Sequence, residues 1–307
     1  MIRDAVVYFD VPRRFHEEFS VTDEEFSITE PELTADDLLV LDDPYFDAGN
    51  VALVTGAGSG IGQATAVGLA ANGLTVAGLD VDTDGLDETV ELASSIGGAG
   101  EVTPIVCDLT DDVEVEAAVD EAAAAGDLRF VANIAGLQHI SPLDKFPMGK
   151  YDLLQSVMLR APFLVSKLVM PHVRETEDGV GAIGNMASIH GHYATKDKAA
   201  YIATKFGLRG LTQAIAAEGD GVLRSFSVSV GYVLTPLMVN QIEDTAQERG
   251  ISERAVVEDV MLGQARTKEM MTPAEVANLF TFGFSRHARH LNGGDLLWDG
   301  GYTLTYE

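Results

Sequence analysis

Tyr201 and Lys205 lie four residues apart, and Ser188 precedes the tyrosine by thirteen. Four residues is about one helical turn, so the phenol and the ammonium share a face. An unperturbed tyrosine titrates near ~10 and is a poor base at neutrality. A neighbouring positive charge favours the phenolate and lowers that value. Lys205 can therefore tune Tyr201, and Tyr201 can exchange a proton with the hydroxyl of an alcohol. Ser188 can hydrogen-bond the same oxygen throughout. Removing that proton while the carbon gives up hydride is alcohol oxidation, and it requires a hydride acceptor.

The run Thr55-Gly56-Ala57-Gly58-Ser59-Gly60-Ile61-Gly62 can hold one. An apolar strand precedes it and a helix follows. Glycine there permits a tight turn and lets a pyrophosphate approach the backbone, while the free N–H groups of the helix hold the anion. Gly56, Ser59, Gly60, Ile61 and Gly62 are thus candidate cofactor contacts. Asp80, eighteen residues beyond Gly62, ends the next strand and can accept from the ribose hydroxyls. A carboxylate there repels a 2′-phosphate, and no Lys or Arg lies in the loop or just after Asp80. The expected cofactor is NAD rather than NADP. Asp108, ending the third strand, can accept from the adenine amino group or can cap the helix after Thr110. Lys205 can also reach the nicotinamide ribose.

The elements that must position these groups alternate from residue 51 onward. Strands are expected at 51–55, 74–79, 101–107, 128–134, 181–188, 222–230 and 296–298. Helices are expected from the glycine loop to Gly73 and at 113–125, 150–174 (bent by Pro162), 199–217, 252–263 and 273–285. Alternation of this kind implies a parallel sheet covered on both faces, an α/β fold. Residues 1–47 differ. Aromatic, acidic and turn residues alternate there without a sustained period, and the apolar content is too high for a solvated tail. This acidic N-terminal extension is expected to pack against the main domain, residues 48–307, or against a neighbouring subunit.

Composition bounds the rest. Net charge is −28, with about −11 in residues 1–48 and about −17 beyond, and lysine is scarce at seven against thirteen arginines. Such a surface argues against nucleic-acid binding, which needs a basic face. Acid spread over the whole chain fits a halophile's cytoplasm, where the screening length falls to ~3 Å at molar salt. A single cysteine, Cys107, excludes an internal disulfide and suits a reducing cytoplasm. No metal-ligand spacing, signal peptide or uninterrupted bilayer-spanning apolar run is expected.

Together these stretches resemble the short-chain dehydrogenase/reductase family over residues 48–307. Thr55–Gly62 is similar to its glycine loop, Asn133-Ile134-Ala135-Gly136 to its sheet-stabilising segment, and Ser188, Tyr201 and Lys205 to its catalytic positions. The resemblance implies a doubly wound Rossmann-type sheet, a homotetramer using the helices at 150–175 and 199–217, and cofactor contacts from Asn133 and from Thr235, the latter at the carboxamide. Within the family the D-3-hydroxybutyrate dehydrogenase branch is most similar, through Gly136–Pro142, Ser188–Gly191, Lys198–Tyr201, Gly231–Leu237, Arg249–Glu253 and Val260–Lys268. That likeness implies that Gln138, His190, Lys198 and Gln241 surround a substrate carboxylate, that Tyr232 and Tyr302 form aromatic walls, and that about 237–268 is a helical lid. A small anion does need a cation and several donors, and Lys198 sits one turn before Tyr201.

Two departures stand out. Met158 occupies the place of an asparagine that orders a proton-relay water, leaving Gln155, backbone carbonyls or another proton route. Val230-Gly231 replaces the usual proline-glycine. The expected activity is NAD-dependent oxidation of D-3-hydroxybutyrate in the cytoplasm. The alternatives are a related enzyme for another small hydroxy or oxo acid or a 3-oxoacyl thioester, and a noncatalytic NAD-binding protein.

Overall fold

A computed structural model describes residues 31–304. Seven parallel strands form one sheet in the order β3-β2-β1-β4-β5-β6-β7. They are β1 (Asn50–Thr55), β2 (Thr75–Asp80), β3 (Glu101–Val106), β4 (Asp127–Asn133), β5 (Gly181–Met186), β6 (Leu223–Val230) and β7 (Asp295–Trp298). The central strands β1, β4, β5 and β6 are almost wholly buried, as expected where helices cover both faces. Strand order reverses between β1 and β4, so a crevice opens beyond the ends of these strands, the usual ligand position in such sheets. The sequence-expected strands are all present, shifted by one or two residues at their ends.

One apolar layer joins α1 (Gly60–Ala71) and α9 (Pro273–Phe284) to the sheet through Leu69, Val54, Phe226, Phe280 and Phe284. The opposite layer uses α3 (Asp112–Ala124), α5 (Ala161–Glu175) and α6 (Ala199–Glu218), with Val115, Val165, Val169 and Ile215 inward. No element is expected from sequence over 81–100, yet α2 (Thr83–Ile96) lies there. Its apolar contacts, Leu86, Val90 and Ala93, do repeat at helical spacing, but Gly85 and a run of acids and serines dilute the pattern. The structure explains Gly85. A Cβ there would stand 2.5 Å from the Gly58 carbonyl oxygen, so only glycine lets α2 press against the cofactor loop.

The single helix expected at 150–174 is two helices in line. α4 (Met148–Gln155) passes through a π-helical turn, Ser156–Arg160, into α5. Pro162 has no N–H for the carbonyl four residues back, and its position in the first turn of α5 accommodates that loss. The stretch Met148–Glu175 is apolar and long enough to cross a bilayer by length and composition. In this fold Val165, Val169 and Val173 are buried against the sheet.

Residues 35–49 of the N-terminal segment run along α1 and α9. The Asn72 amide, at the end of α1, accepts from Leu41 N and donates to the Leu39 and Gly68 carbonyls. Asn278 of α9 accepts from Leu39 N and donates to the Asp37 carbonyl. Asp43 accepts from Arg286 N beyond α9, and Phe46 packs edge-on to Phe130 of β4. Arg129 is buried beneath the Tyr45 ring and is held by Asn50, Asp127, Asp178 and the Val180 carbonyl. The Tyr45 hydroxyl closes the cluster by donating to Asp178. The part of the extension expected at 1–30 lies outside the described residues.

Asn72→Ala would leave the Leu41 N–H and the Leu39 carbonyl without their partner, while the Gly68 carbonyl keeps the Asn72 backbone N–H. A loss of about 1–3 kcal/mol is expected, the usual cost of orphaning a buried polar group. Denaturant unfolding measures it; an unchanged midpoint would show that Asn72 does not hold the segment.

Candidate active site

Both halves of the sequence-predicted site converge at the switch point. The glycine loop leaves β1 and is braced from three sides. Gly56 N and Ala57 N donate to the Leu79 carbonyl, Thr89 of α2 donates to the Ala57 carbonyl at 2.8 Å, and Gly58 N donates to the Asp80 carboxylate at 2.9 Å. Two glycines are strictly required. Gly56 has φ +73°, a left-handed conformation, and a Cβ on Gly62 would lie 1.8 Å from the Gly56 carbonyl oxygen. Ser59 makes no side-chain cap, so its hydroxyl is uncommitted at the head of α1. Asp80 receives Gly58 N on one oxygen and Asp82 N on the other, which fixes the carboxylate at the strand end. Thr235 leans over the loop. Its methyl would be 3.2 Å from a Cβ on Gly60, while its hydroxyl caps α7 (Pro236–Arg249) by accepting from Met238 N. The loop, Asp80 and Thr235 thus frame one cradle that fits a dinucleotide.

Two acceptor positions differ in detail from their sequence reading. Asp108 accepts from both Thr110 groups in a local turn, and these bonds lower its pKa. The cap of α3 is Asp111, which accepts from Val113 N and Glu114 N. Asn133 Nδ2 donates across the sheet to Asn185 Oδ1, and Asn185 in turn donates to Thr212 of α6. Asn133 Oδ1 is buried without a hydrogen-bond partner.

The catalytic candidates sit just after β5, where Ser188 heads a short turn, and on α6, which carries Tyr201 and Lys205. Ser188 is extended and accepts from His190 N at 3.1 Å, which points its hydroxyl out of a short 3-10 turn, Ile189–Gly191. Arg209 of α6 pins that turn by donating to the Gly191 carbonyl. Lys205 is only 3% exposed, donates to the Met186 carbonyl at 2.7 Å, and lies 5.3 Å from the Tyr201 ring centre. Burial pushes the Lys205 ammonium down to about 7. Burial also raises the Tyr201 phenol, and the Ser188 hydroxyl partly opposes that rise. In the cofactor-free chain burial is the larger influence on the phenol.

His190 is buried, stacks on Tyr193 at 5.2 Å, stands edge-on to Tyr201 at 5.9 Å and forms a hydrogen bond with the Thr195 hydroxyl at 3.1 Å. Burial, then the charge of Lys198, lowers its pKa to about 3, so the imidazole is neutral. Lys198 lies 6.0 Å from the Tyr232 ring centre, and burial, then Arg249, brings it to about 8. Gln241 is buried on α7. Gln138, after β4, is half-buried, and its side-chain oxygen accepts from His139 N. Tyr232 and Tyr302 meet at 5.9 Å, and Tyr193, unmarked in the sequence reading, joins them at 5.7 Å from Tyr302. Its place in the loop five residues after Ser188 was the available signal.

Over this pocket α7, the short α8 (Glu253–Ala255) and a π-helical turn, Val256–Met261, pack through Ile242, Val257, Met261 and Leu262 against Tyr232 and Tyr302. Both ends of the segment are tied together, Leu234 N to the Met271 carbonyl and Met271 N to the Tyr232 carbonyl. Met158 is buried in the π turn, and its sulfur accepts from Leu137 N at 3.4 Å. Gln155, on the preceding turn, donates to Thr204 Oγ1 and the Ala200 carbonyl of α6.

The family model described as enoyl-(acyl carrier protein) reductase matches residues 56–303. The chain belongs to the short-chain dehydrogenase/reductase family. D-beta-hydroxybutyrate dehydrogenase of Rhizobium meliloti (strain 1021) is 34% identical over 261 residues, 82% of this chain and 98% of that protein. D-threitol dehydrogenase of Mycolicibacterium smegmatis is 35% identical over 260 residues, 83% of this chain and 94% of that protein. The crystal structure of levodione reductase superposes with a TM-score of 0.79 at 30% identity, covering 85% of this chain and all of that one. Two further structures, from Beutenbergia cavernae and Agrobacterium tumefaciens, hold NADP and superpose with a TM-score of 0.73. This chain is thus a short-chain oxidoreductase with a site for NAD(P).

Lys205 also gives a pH test. Its folded pKa, about 7, lies below the ordinary lysine value of 10.5. Above pH 7 the unfolded chain holds a proton that the folded chain has released, so stability should rise with pH between 7 and 9. Lys205→Met should flatten that rise in thermal melts of the cofactor-free protein. An equal slope in both proteins would contradict the buried-lysine assignment.

Proposed function

We propose that this enzyme oxidises D-3-hydroxybutyrate to acetoacetate with NAD, reversibly. The observation that carries this reading is a local cation in an acidic protein. Lys198 sits at the Tyr232 face beside neutral His190, with Gln241 on the covering helix, in a chain of net charge −28. A carboxylate supplies the missing counter-charge, and Gln138 and Gln241 add neutral donors. Asp80 at the ribose position supports NAD over NADP, although similar structures hold NADP.

The glycine loop, Asp80 and Thr235 would hold NAD, which would supply the hydride acceptor. Tyr201 takes the hydroxyl proton as hydride leaves C3 of the hydroxy acid, and Ser188 holds the oxygen by hydrogen bonding. Lys205 contributes a positive charge beside the phenol, and that charge is present below about pH 7. The oxidised nicotinamide's own charge would add to it, which is the reason burial need not leave Tyr201 inert. His190, being neutral, donates or accepts without repelling the substrate from Lys198. The helical segment 237–268 acts as a lid that excludes water from the reacting groups.

Self-association as a homotetramer is part of the same proposal. Phe163 of α5 and Phe206 of α6 are exposed on the helices expected to meet a second copy, at 59% and 46% exposure. We also read the acid-rich, lysine-poor surface as adapted to a salt-rich cytoplasm; dialysis to low salt should inactivate the enzyme, and full activity there would contradict that adaptation.

A substrate panel tests the main reading. NADH formation is followed with D- and L-3-hydroxybutyrate, threitol and a 3-hydroxyacyl thioester, each with NAD and NADP. Strong preference for the D acid with NAD is expected. Tyr201→Phe should lose at least a hundredfold in kcat while still binding NAD, the usual scale for removing an acid/base group. Equal rates on both enantiomers, or preference for threitol or the thioester, would defeat the substrate assignment.

A further inference from the structure

The cleft has a second cation that the mechanism above leaves unused. Gln241, Thr245 and Arg249 follow one another at steps of four along α7 and so share a face. Gln241 and Thr245 are buried on that face, and Arg249, in the last turn, is exposed at its outer end. The Arg249 charge acts on both Lys198 and Tyr232, the two groups that meet at 6.0 Å. Arg249 therefore continues outward the face of α7 that Gln241 and Thr245 bury, near enough to Lys198 and Tyr232 for its charge to act on both.

Among the described residues no carboxylate pairs with either cation. Arg129, Arg160 and Arg254 each lie within ion-pair distance of a carboxylate. Among the described residues, neither Lys198 nor Arg249 forms an ion pair or a hydrogen bond through its side-chain nitrogens. Forty-eight acids were available to a chain of this composition. Two like charges held near one another with no carboxylate between them are unfavourable until an anion arrives.

We propose that Arg249 is a specificity residue which, with Lys198, forms a two-cation mouth selecting free carboxylic acids over their neutral derivatives. This rests on the reading of the site as acting on a hydroxy acid. An amide, ester or thioester of the same acid fills nearly the same space without the charge. The mouth then discriminates by electrostatics rather than by size, and α7 carries the second cation toward the substrate as part of the lid. Arg249 also lies near the C-terminal end of α7, where any cation favours the helix. The test must separate these roles.

Wild type, Arg249→Lys, Arg249→Gln and Arg249→Glu are compared on D-3-hydroxybutyrate and on its amide, at the lowest salt that keeps each folded. Arg249→Gln should lower the acid-to-amide ratio of kcat/KM about three- to fivefold, chiefly through KM, the scale of a partly exposed charge pair. Arg249→Glu should lower it further, and Arg249→Lys should keep most of it. Added salt should shrink the difference between wild type and Arg249→Gln. A second readout is the pH at which KM for the acid begins to climb. The groups around Lys198 are His190, Tyr201, Tyr232 and Arg249, and only the arginine is changed. Loss of its like charge should move the climb to higher pH, which a purely helix-stabilising role would not do. Equal losses on acid and amide, or an unchanged ratio with an unmoved pH limb, would overturn the proposal. A wild type inactive on the acid would instead overturn the substrate reading beneath it.

Discussion

A lysine ammonium taken almost wholly out of water is the constraint that organises the centre of this molecule. Lys205 has one carbonyl, that of Met186, to replace its hydration, and an effective desolvation cost of several kcal/mol must be met by the surrounding fold. Each element near it restricts the ammonium to that position. β5 ends where its carbonyl is needed. The 3-10 turn after Ser188 is tied to α6 by Arg209, one helical turn beyond Lys205. Gln155 ties the preceding helix to Thr204, the residue next to the lysine. The same crowding raises the Tyr201 phenol, so a site that needs its lysine dry also holds its tyrosine protonated until further positive charge arrives.

The cofactor cradle shows the same economy with neutral groups. A glycine loop alone is flexible; here α2 lays Thr89 and Gly85 against it, and Asp80 fastens Gly58 from the strand side. The Asp80 carboxylate therefore has two consequences from one position. It fixes the loop backbone through Gly58 and Asp82, and it puts a fixed negative charge at the edge of the cradle. Replacing that charge would also loosen the loop, so the two effects cannot be separated by a single substitution.

Legibility followed the range of the interactions. The glycine loop, the Tyr201–Lys205 pair and the strand–helix alternation are local patterns, and the sheet and the converging residues could be read from them. The phase of buried strands and the long α6 also followed from spacing. What sequence hid was decided by contacts far along the chain. α2 has a short apolar face whose Gly85 looks like a helix breaker until the Gly58 carbonyl is seen beside it. The break at Ser156–Arg160 precedes the proline that signals it, because the bond Pro162 cannot make belongs to the turn before. Met158 reads as a missing polar group, yet its sulfur accepts from Leu137 N in the described fold. The burial of the tyrosine was not legible either, because periodicity reveals a neighbouring charge but says nothing of how much water is excluded.

The described part of the N-terminal segment joins α1 and α9 to β4. Its asparagine anchors lie on α1, whose first turn carries the cofactor loop, and on α9, which packs beside it. The same segment carries Tyr45 to the buried Arg129 at the foot of β4, the strand whose far end is Asn133. The helix that receives the dinucleotide and the strand beside the switch point are thus joined at the end of the sheet remote from chemistry. Hydrogen bonds to asparagine amides and a buried guanidinium are directional, whereas surface acids in a strongly negative chain repel one another. Directional contacts of that kind can hold a charged segment onto the domain where nonspecific attraction between the two could not.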